Sequence, residues 1–333
     1  MESDYSRYAG SSGSSGYDEL DRRLVHALQI DGRAPFSAIA GALGVSDRTV
    51  ARRYARLRST GAVQVLGGVD PTALGAVLWL LRVRCAPSAS VTVAEALARR
   101  PDTSWVSLTS GGTEITCTVR TESEADSEAL LLARLPRTPR VEGVSAHSVL
   151  HTFYGGPDSL IAKLGPLGPE AVAALRPSPP PHRPGPVRLD DGDRRLLAAL
   201  ATDGRTGFER LAAVTGWSPT TVRRRMTELR AHGVLYLDID CDRRLLGIGA
   251  RTLLWLSVAP PHLEEAGETL AGHPEVAFAA ATTGPTNLYA TVVCADQRAL
   301  YRYLTTRVAA LPAVTHVETA PVIRTVKQAA NRV

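Results

Sequence analysis

The chain has 333 residues, a formal net charge of +5, a sequence pI of about 9.2, 44% hydrophobic and 5% aromatic residues. That is a globular composition with room for two or three domains. No run approaches the roughly 18–20 apolar residues of a membrane span, the acidic start Met1-Glu2-Ser3-Asp4 is no secretory leader, and the scattered Cys85, Cys117, Cys241 and Cys294 form neither a CxxC pair nor a disulfide framework, so a reduced, cytoplasmic protein is expected.

In chain order, residues 1–16 end in Gly10-Ser-Ser-Gly-Ser-Ser-Gly16 and read as a flexible tail. Leu20, Leu24, Val25 and Leu28 recur at helical spacing and predict a helix over about 18–29. Asp31-Gly32-Arg33 breaks it. Pro35 opens a second helix with Ile39, Ala40 and Leu43 as its apolar stripe. Gly44-Val45-Ser46 makes a short turn, with Ser46 an N-cap for a third helix over Asp47–Ser59. A strand or wing follows at Val63–Val69. Helix, short glycine-containing turn, helix is the helix-turn-helix pattern, placed here at 17–68.

On a wheel at about 100° per residue, Val50, Tyr54 and Leu57 make the core stripe of the third helix. Arg48, Thr49, Arg52 and Arg56 face away from it, with Arg53 on the flank. Guanidinium groups at that density can reach phosphates and guanine edges, although a solvated basic face gives the same pattern.

The region 69–154 then alternates: strand Val77–Cys85, helix Val91–Arg100, strands Ser104–Thr109 and Ile115–Val119 joined through Ser110-Gly111-Gly112-Thr113-Glu114, helix Glu122–Leu135, strand Val141–Phe153. The order β-α-β-β-α-β is a ferredoxin-like split unit that leaves one sheet face in need of a partner. His147 and His151 lie four apart on the last strand. At about 3.3 Å per residue they stand too far apart to share a metal ion.

Residues 155–187 end in a proline-dense run, Arg176 to Pro186, and read as a stiff spacer. After it the chain repeats itself. Slid by 172 residues, 21–66 and 193–238 agree at 20 of 46 positions without a gap. The second helix-turn-helix is placed at 188–240 and the second βαββαβ region at 241–328, where the offset becomes 173. The expected fold is therefore α+β: two copies of a winged helix-turn-helix followed by a ferredoxin-like βαββαβ domain. In the second reader Ser218, Thr220, Thr221, Arg223, Arg224 and Arg225 take the outward and flanking positions. Glu228 replaces Arg56, so this face is less cationic, and the two copies are expected to prefer different sequences.

A helix-turn-helix carrying Asp21, Asp31-Gly32-Arg33, Ala40, Gly44, Ser46, Thr49-Val50, Arg53, Leu57 and Gly61, followed by βαββαβ, resembles the Lrp/AsnC family of feast-famine regulators. The second copy keeps Asp193, Asp203-Gly204-Arg205, Ala212, Gly216, Ser218, Thr221-Val222, Arg225, Leu229 and Gly233. The resemblance implies a transcriptional regulator that binds double-stranded DNA, pairs through its βαββαβ sheets and answers to an amino acid or similar small molecule. Here the two copies on one chain would pair with each other as a pseudo-dimer, with further homo-oligomers open. In the family the effector pocket lies near the turn between the second and third strands. That turn reads Gly111-Gly112-Thr113-Glu114 in copy one and Gly284-Pro285-Thr286-Asn287 in copy two, departing from the family's Gly-x-x-Asp. Gly111, Thr113, Glu114, Gly284, Thr286 and Asn287 are the effector candidates. Glu114 can hold an α-amino group and Asn287 cannot supply that charge. Both segments also suit plain tight turns.

No nucleotide-binding, P-loop, serine-hydrolase or zinc-protease motif is present, and neither an enzyme nor a cofactor is expected. The competing reading is a sirohaem decarboxylase, a class that resembles this family, also occurs as two-unit fusions and works with histidine and arginine around a tetrapyrrole. The arginine-rich third helix weighs against it.

Overall fold

The computed structural model describes residues 16–134, 140–177, 185 and 187–328. Residues 1–15, and most of the proline run from 178 to 186, lie outside that set. The described chain forms two compact units, each built from both copies: 1–74 with 156–248, and 75–155 with 249–333.

The first unit carries the helix-turn-helix pairs. Copy one contributes α1 (Glu19–Ile30), α2 (Phe36–Leu43), α3 (Asp47–Ser59) and β1 (Val63–Val69). Copy two contributes α8 (Asp191–Thr202), α9 (Phe208–Thr215), α10 (Pro219–Ala231) and β6 (Leu235–Cys241). Leu24, Leu28, Ile39, Val50 and Leu57 build one core; Leu196, Leu200, Leu211, Val222 and Leu229 build the other. Left-handed Gly44 and Gly216 close α2 and α9, and Ser46 and Ser218 accept from the backbone N–H of Thr49 and Thr221 to cap the third helices.

The strand read as a wing has its partner in the other copy. β1 runs antiparallel to β6 in register Val63↔Cys241 through Val69↔Leu235. Each strand therefore delivers apolar groups to the opposite core: Ile239 joins the first and Val69 the second.

Part of the expected spacer is folded. Residues 160–175 form α6 (Leu160–Leu164) and α7 (Pro169–Leu175), and Ile161, Leu167 and Leu175 are buried in the first helix-turn-helix core. The proline content of 176–186 led the sequence reading to extend the spacer too far back. Leucine and alanine spacing upstream of it encodes short amphipathic turns instead.

The second unit is a closed eight-stranded barrel in the order β10-β3-β4-β2-β5-β8-β9-β7. Copy one supplies β2 (Val77–Cys85), β3 (Thr103–Thr109), β4 (Glu114–Thr121) and β5 (Val141–Tyr154), with α4 (Ser90–Ala98) and α5 (Glu124–Glu128). Copy two supplies β7 (Ala250–Val258), β8 (Val276–Thr282), β9 (Leu288–Cys294) and β10 (Val314–Thr325), with α11 (Leu263–Gly272) and α12 (Gln297–Tyr303). The long strands β5 and β10 make the closure. β5 pairs with β2 and then β8; β10 pairs with β7 and then β3. On β2, Leu81, Val83 and Cys85 enter the copy-one core with α4. Strand alternation turns Leu80 and Arg82 the other way, into the barrel, with Arg84 on the same face but exposed at its end. There Leu80 meets Leu253, Trp255, Tyr289 and Ala320. The sheet faces that required a partner thus enclose one another.

Candidate DNA interface and candidate effector site

The readers are positioned by ion pairs behind the third helices. Asp18 and Asp21 form a capping box at the start of α1, and Asp190 and Asp193 repeat it on α8. Asp21 and Asp193 are fully buried. A buried carboxylate needs a partner. Arg53 Nη1 lies 2.8 Å from Asp21 and 2.7 Å from Asp18, and Arg225 donates to both oxygens of Asp193 at 2.7 Å. Burial pushes the carboxyls of Asp18 and Asp193 up, but their arginine partners outweigh it and hold both below the usual carboxylate range. Arg53 and Arg225, named as DNA candidates, therefore fasten α3 to α1 and α10 to α8. Arg56 also bonds Asp21, while its counterpart Glu228 sits 3.0 Å from Arg225.

What remains outward differs between copies. On α3, Ser46, Arg48 and Arg52 are exposed and Thr49 is half-buried. Arg48 and Arg52 make no ion pair among the described residues. On α10, Ser218, Thr220, Arg223 and Arg224 are exposed and Thr221 is half-buried. The Arg223 guanidinium lies 4.5 Å over the Phe208 ring, which leaves Arg224 as the counterpart of Arg52. Ser46 and Ser218 are shared between cap and surface; each hydroxyl lies 2.9 Å from the threonine hydroxyl three residues on.

A joint between the copies was not foreseen as such. Arg33 donates to the carbonyls of Gly204 and Thr206 at 2.7 and 2.9 Å, and Arg205 returns the contact to Gly32 and Ala34 at 2.6 and 3.0 Å. Arg33 stacks on Phe208 and Arg205 on Phe36. Burial lowers the affinity of both guanidinium groups for their protons, helped at Arg33 by the charge of Arg205 and at Arg205 by that of Arg58, without neutralising them. The signal was present: Asp-Gly-Arg is identical in both copies and lies off the reading helices.

In the barrel, Glu114 is buried and its Oε1 accepts from Arg82 Nε at 2.7 Å. Arg82 also makes a two-pronged contact with Glu318 and lies 4.9 Å over Trp255. The two carboxylates hold Arg82 more firmly protonated than a free arginine, and Arg82 holds Glu318 below the usual carboxylate range. A cavity of about 260 Å3 is bordered by Arg82, Arg84, Glu114, Val144 and Ser145. Of the other copy-one candidates, Gly111 lies in a left-handed turn and the Thr113 hydroxyl donates to the Ser110 carbonyl at 2.9 Å.

The copy-two turn is committed internally. Asn287 accepts from the Val258 N–H and donates to the Val258 carbonyl, both at 2.8 Å. Thr286 is buried and its carbonyl accepts from the Thr282 hydroxyl at 3.1 Å. A Cβ on Gly284 would stand 2.4 Å from the His147 ring. His147 is buried. Its ring lies 5.3 Å from that of Trp255 and its Nδ1 is 2.8 Å from the Thr283 carbonyl. His151 stacks on Phe153 instead. No cluster of three or more metal-ligating side chains occurs among the described residues.

Two helix-turn-helix readers and a two-copy βαββαβ barrel define the class, a DNA-binding regulator with a ligand-binding domain. The AsnC-type helix-turn-helix domain matches residues 18–58 and again 189–230, and the Lrp/AsnC ligand binding domain matches 252–331. The regulator FL11 of Pyrococcus horikoshii is 30% identical over 137 residues, covering 40% of this chain and 90% of FL11. Rv2324 of Mycobacterium tuberculosis, an HTH-type transcriptional regulator, is 31% identical over 118 residues, covering 34% of this chain and 78% of its own. The chain belongs to the Lrp/AsnC family, in a tandem form with two helix-turn-helix domains.

One expectation is overturned. The siroheme decarboxylase NirDL superposes with a TM-score of 0.62 at 16% identity, covering 93% of both chains. The whole-chain architecture is thus shared with an enzyme. The expectation of a protein without catalysis rested on missing motifs, and a whole-chain fold shared with an enzyme removes that ground.

Proposed function

We propose that this chain regulates transcription by binding DNA through two unlike helix-turn-helix readers and by answering to a small effector, an amino acid or a close relative, bound in the barrel. The observation that carries the reading is the outward guanidinium set. Arg48 and Arg52 on α3 are exposed and unspent, and Arg224 is left alone on α10. Phosphate and guanine contacts need arginines in that state. Arg53, Arg56 and Arg225, which complete the sequence-level set, support the surface from behind. Thr49, Thr220 and Thr221 offer hydroxyls to base edges, and Arg223 a second phosphate contact.

The two readers favour an operator with dissimilar halves, the copy-one half supplying more affinity. Gel-shift titration of the protein's own promoter with Arg52→Ala and Arg224→Ala tests this. The larger loss is expected for Arg52→Ala, and equal losses would refute the asymmetry. On the effector side Glu114 is the group suited to an α-amino nitrogen. Calorimetric titration of amino acids against wild type and Glu114→Ala tests it, and an affinity indifferent to the change counts against the site.

A second reading is favoured by the likeness to NirDL, one structure of which is a complex with an iron-uroporphyrin III analogue. Under it, barrel groups such as His147, Arg82 and Arg84 would face a tetrapyrrole. Incubation with sirohaem followed by a visible absorption scan separates the two, because a bound tetrapyrrole shifts its absorption bands and an amino-acid sensor leaves them unchanged.

A further inference from the structure

The two copies of the sensing domain are unequal in a way that decides stoichiometry. Positions 173 residues apart correspond, so Arg82, Arg84, Glu114 and Ser145 answer to Trp255, Ser257, Asn287 and Glu318. On the copy-one side these residues border a cavity. On the copy-two side Trp255 is buried against His147 and Tyr289, the Ser257 hydroxyl donates to the Pro285 carbonyl, and Asn287 is spent on Val258. Bulk and hydrogen bonds occupy the space that copy one leaves open.

Resting on the effector reading above, we propose that the chain binds one small zwitterion, not two, in the copy-one cavity, with its ammonium on Glu114 and its carboxylate on Arg84. Glu114 is the inner pole. Its side chain is 7% exposed; Oε1 is held by Arg82, but Oε2 has only long contacts, 3.4 Å to the Thr109 hydroxyl and 3.5 Å to that of Ser110. An acceptor so placed has capacity for a stronger donor. Arg82, Glu114 and Glu318 together carry one surplus negative charge, which favours a cation beside them. Arg84 is the outer pole: exposed, without an ion pair among the described residues, and shaped to hold a carboxylate two-pronged. Ser145, directly opposite Arg82 on the neighbouring strand, offers its hydroxyl as a further polar contact. Because Glu318 belongs to the second copy and reaches the site through Arg82, the cavity needs both halves of the barrel although it binds at one.

Isothermal titration of the full chain with the twenty L-amino acids, and with acetate and methylammonium as single-charge probes, tests this. One site per chain is expected for the amino acid that binds, with acetate and methylammonium at least tenfold weaker. Arg84→Ala and Glu114→Gln are each expected to weaken binding at least tenfold; Arg84 is a surface side chain, so its variant keeps the test valid if the buried substitution unfolds the barrel. Two sites per chain, indifference to Arg84→Ala, or methylammonium binding as tightly as the amino acid overturns the one-site proposal while leaving the effector reading in place. No binding by any amino acid overturns both.

Discussion

Arg33 and Arg205 reach past each other, each giving its two terminal nitrogens to carbonyls in the loop that carries the other. The contact is self-complementary, as in a two-fold dimer, but it is made within one chain. Removing either guanidinium strands two carbonyls, and a hydrogen bond to a charged group is worth roughly 1.5–3 kcal/mol. Arg33→Ala and Arg205→Ala should therefore each destabilise the helix-turn-helix unit by about 2–4 kcal/mol. Urea unfolding followed by circular dichroism measures it, and losses below about 0.5 kcal/mol, the scale of an ordinary surface substitution, would show the joint to be incidental.

The neighbouring glycine offers an independent test of the same joint. A Cβ on Gly32 would stand 2.8 Å from a methyl of Val65 and 3.3 Å from the Leu237 Cβ. Overpacking of this kind costs roughly 1–3 kcal/mol. Gly32→Ala should lower the thermal midpoint, and pairing it with Val65→Ala should recover part of the loss by making room.

Arg52 and Arg53 are adjacent in sequence and opposite in role. Arg53→Ala removes one of the two arginine partners of buried Asp21, the one that also holds Asp18, and should show first in the melting temperature. Arg52→Ala should leave the melt unchanged and weaken DNA binding by about 1–3 kcal/mol, the usual worth of a good base contact. If Arg52 meets only phosphate, the loss should instead be uniform across sequences, with a shallower salt dependence. A melt lowered equally by both substitutions would refute the division of labour.

His26 ties the folded part of the spacer to α1. Its Nδ1 accepts from the Leu167 N–H at 3.0 Å, and burial holds its pKa down to about 4 from an ordinary 6.5. The folded state thus binds this proton less readily than the unfolded state, so the stabilisation is complete above pH 6.5 and drains away as the pH falls toward 4. Melting temperatures across that range should fall for wild type and fall less for His26→Gln, which can still accept the hydrogen bond. Parallel curves would assign the acid sensitivity elsewhere.

Much of the architecture was legible because it repeats. Each apolar stripe, cap and turn occurs twice, so Ser46 and Ser218, or Gly44 and Gly216, check one another. Contacts between the copies were not legible. Nothing local in Val63–Val69 says that its partner lies in 235–241, and nothing around Glu318 says that it reaches Arg82. Periodicity reports which face is apolar, not which distant strand covers it. The wheel placed Arg53 on the flank correctly in angle, but it could not see Asp21, because capping residues on another helix do not enter a wheel. In the barrel, two arginines on one face of the otherwise apolar run Val77–Cys85 were the available sign of a polar interior.

The closed barrel also bears on cellular company. Antiparallel sheets with open edges accept strands from other chains. In the barrel, β5 and β10 leave no open edge among the described strands. A regulator assembled from separate chains can mix with paralogues and yield like and unlike pairs in proportions set by expression. If the proposed function holds, the chain delivers its two readers in a fixed one-to-one ratio, and its closed barrel leaves a paralogue no barrel edge to pair with.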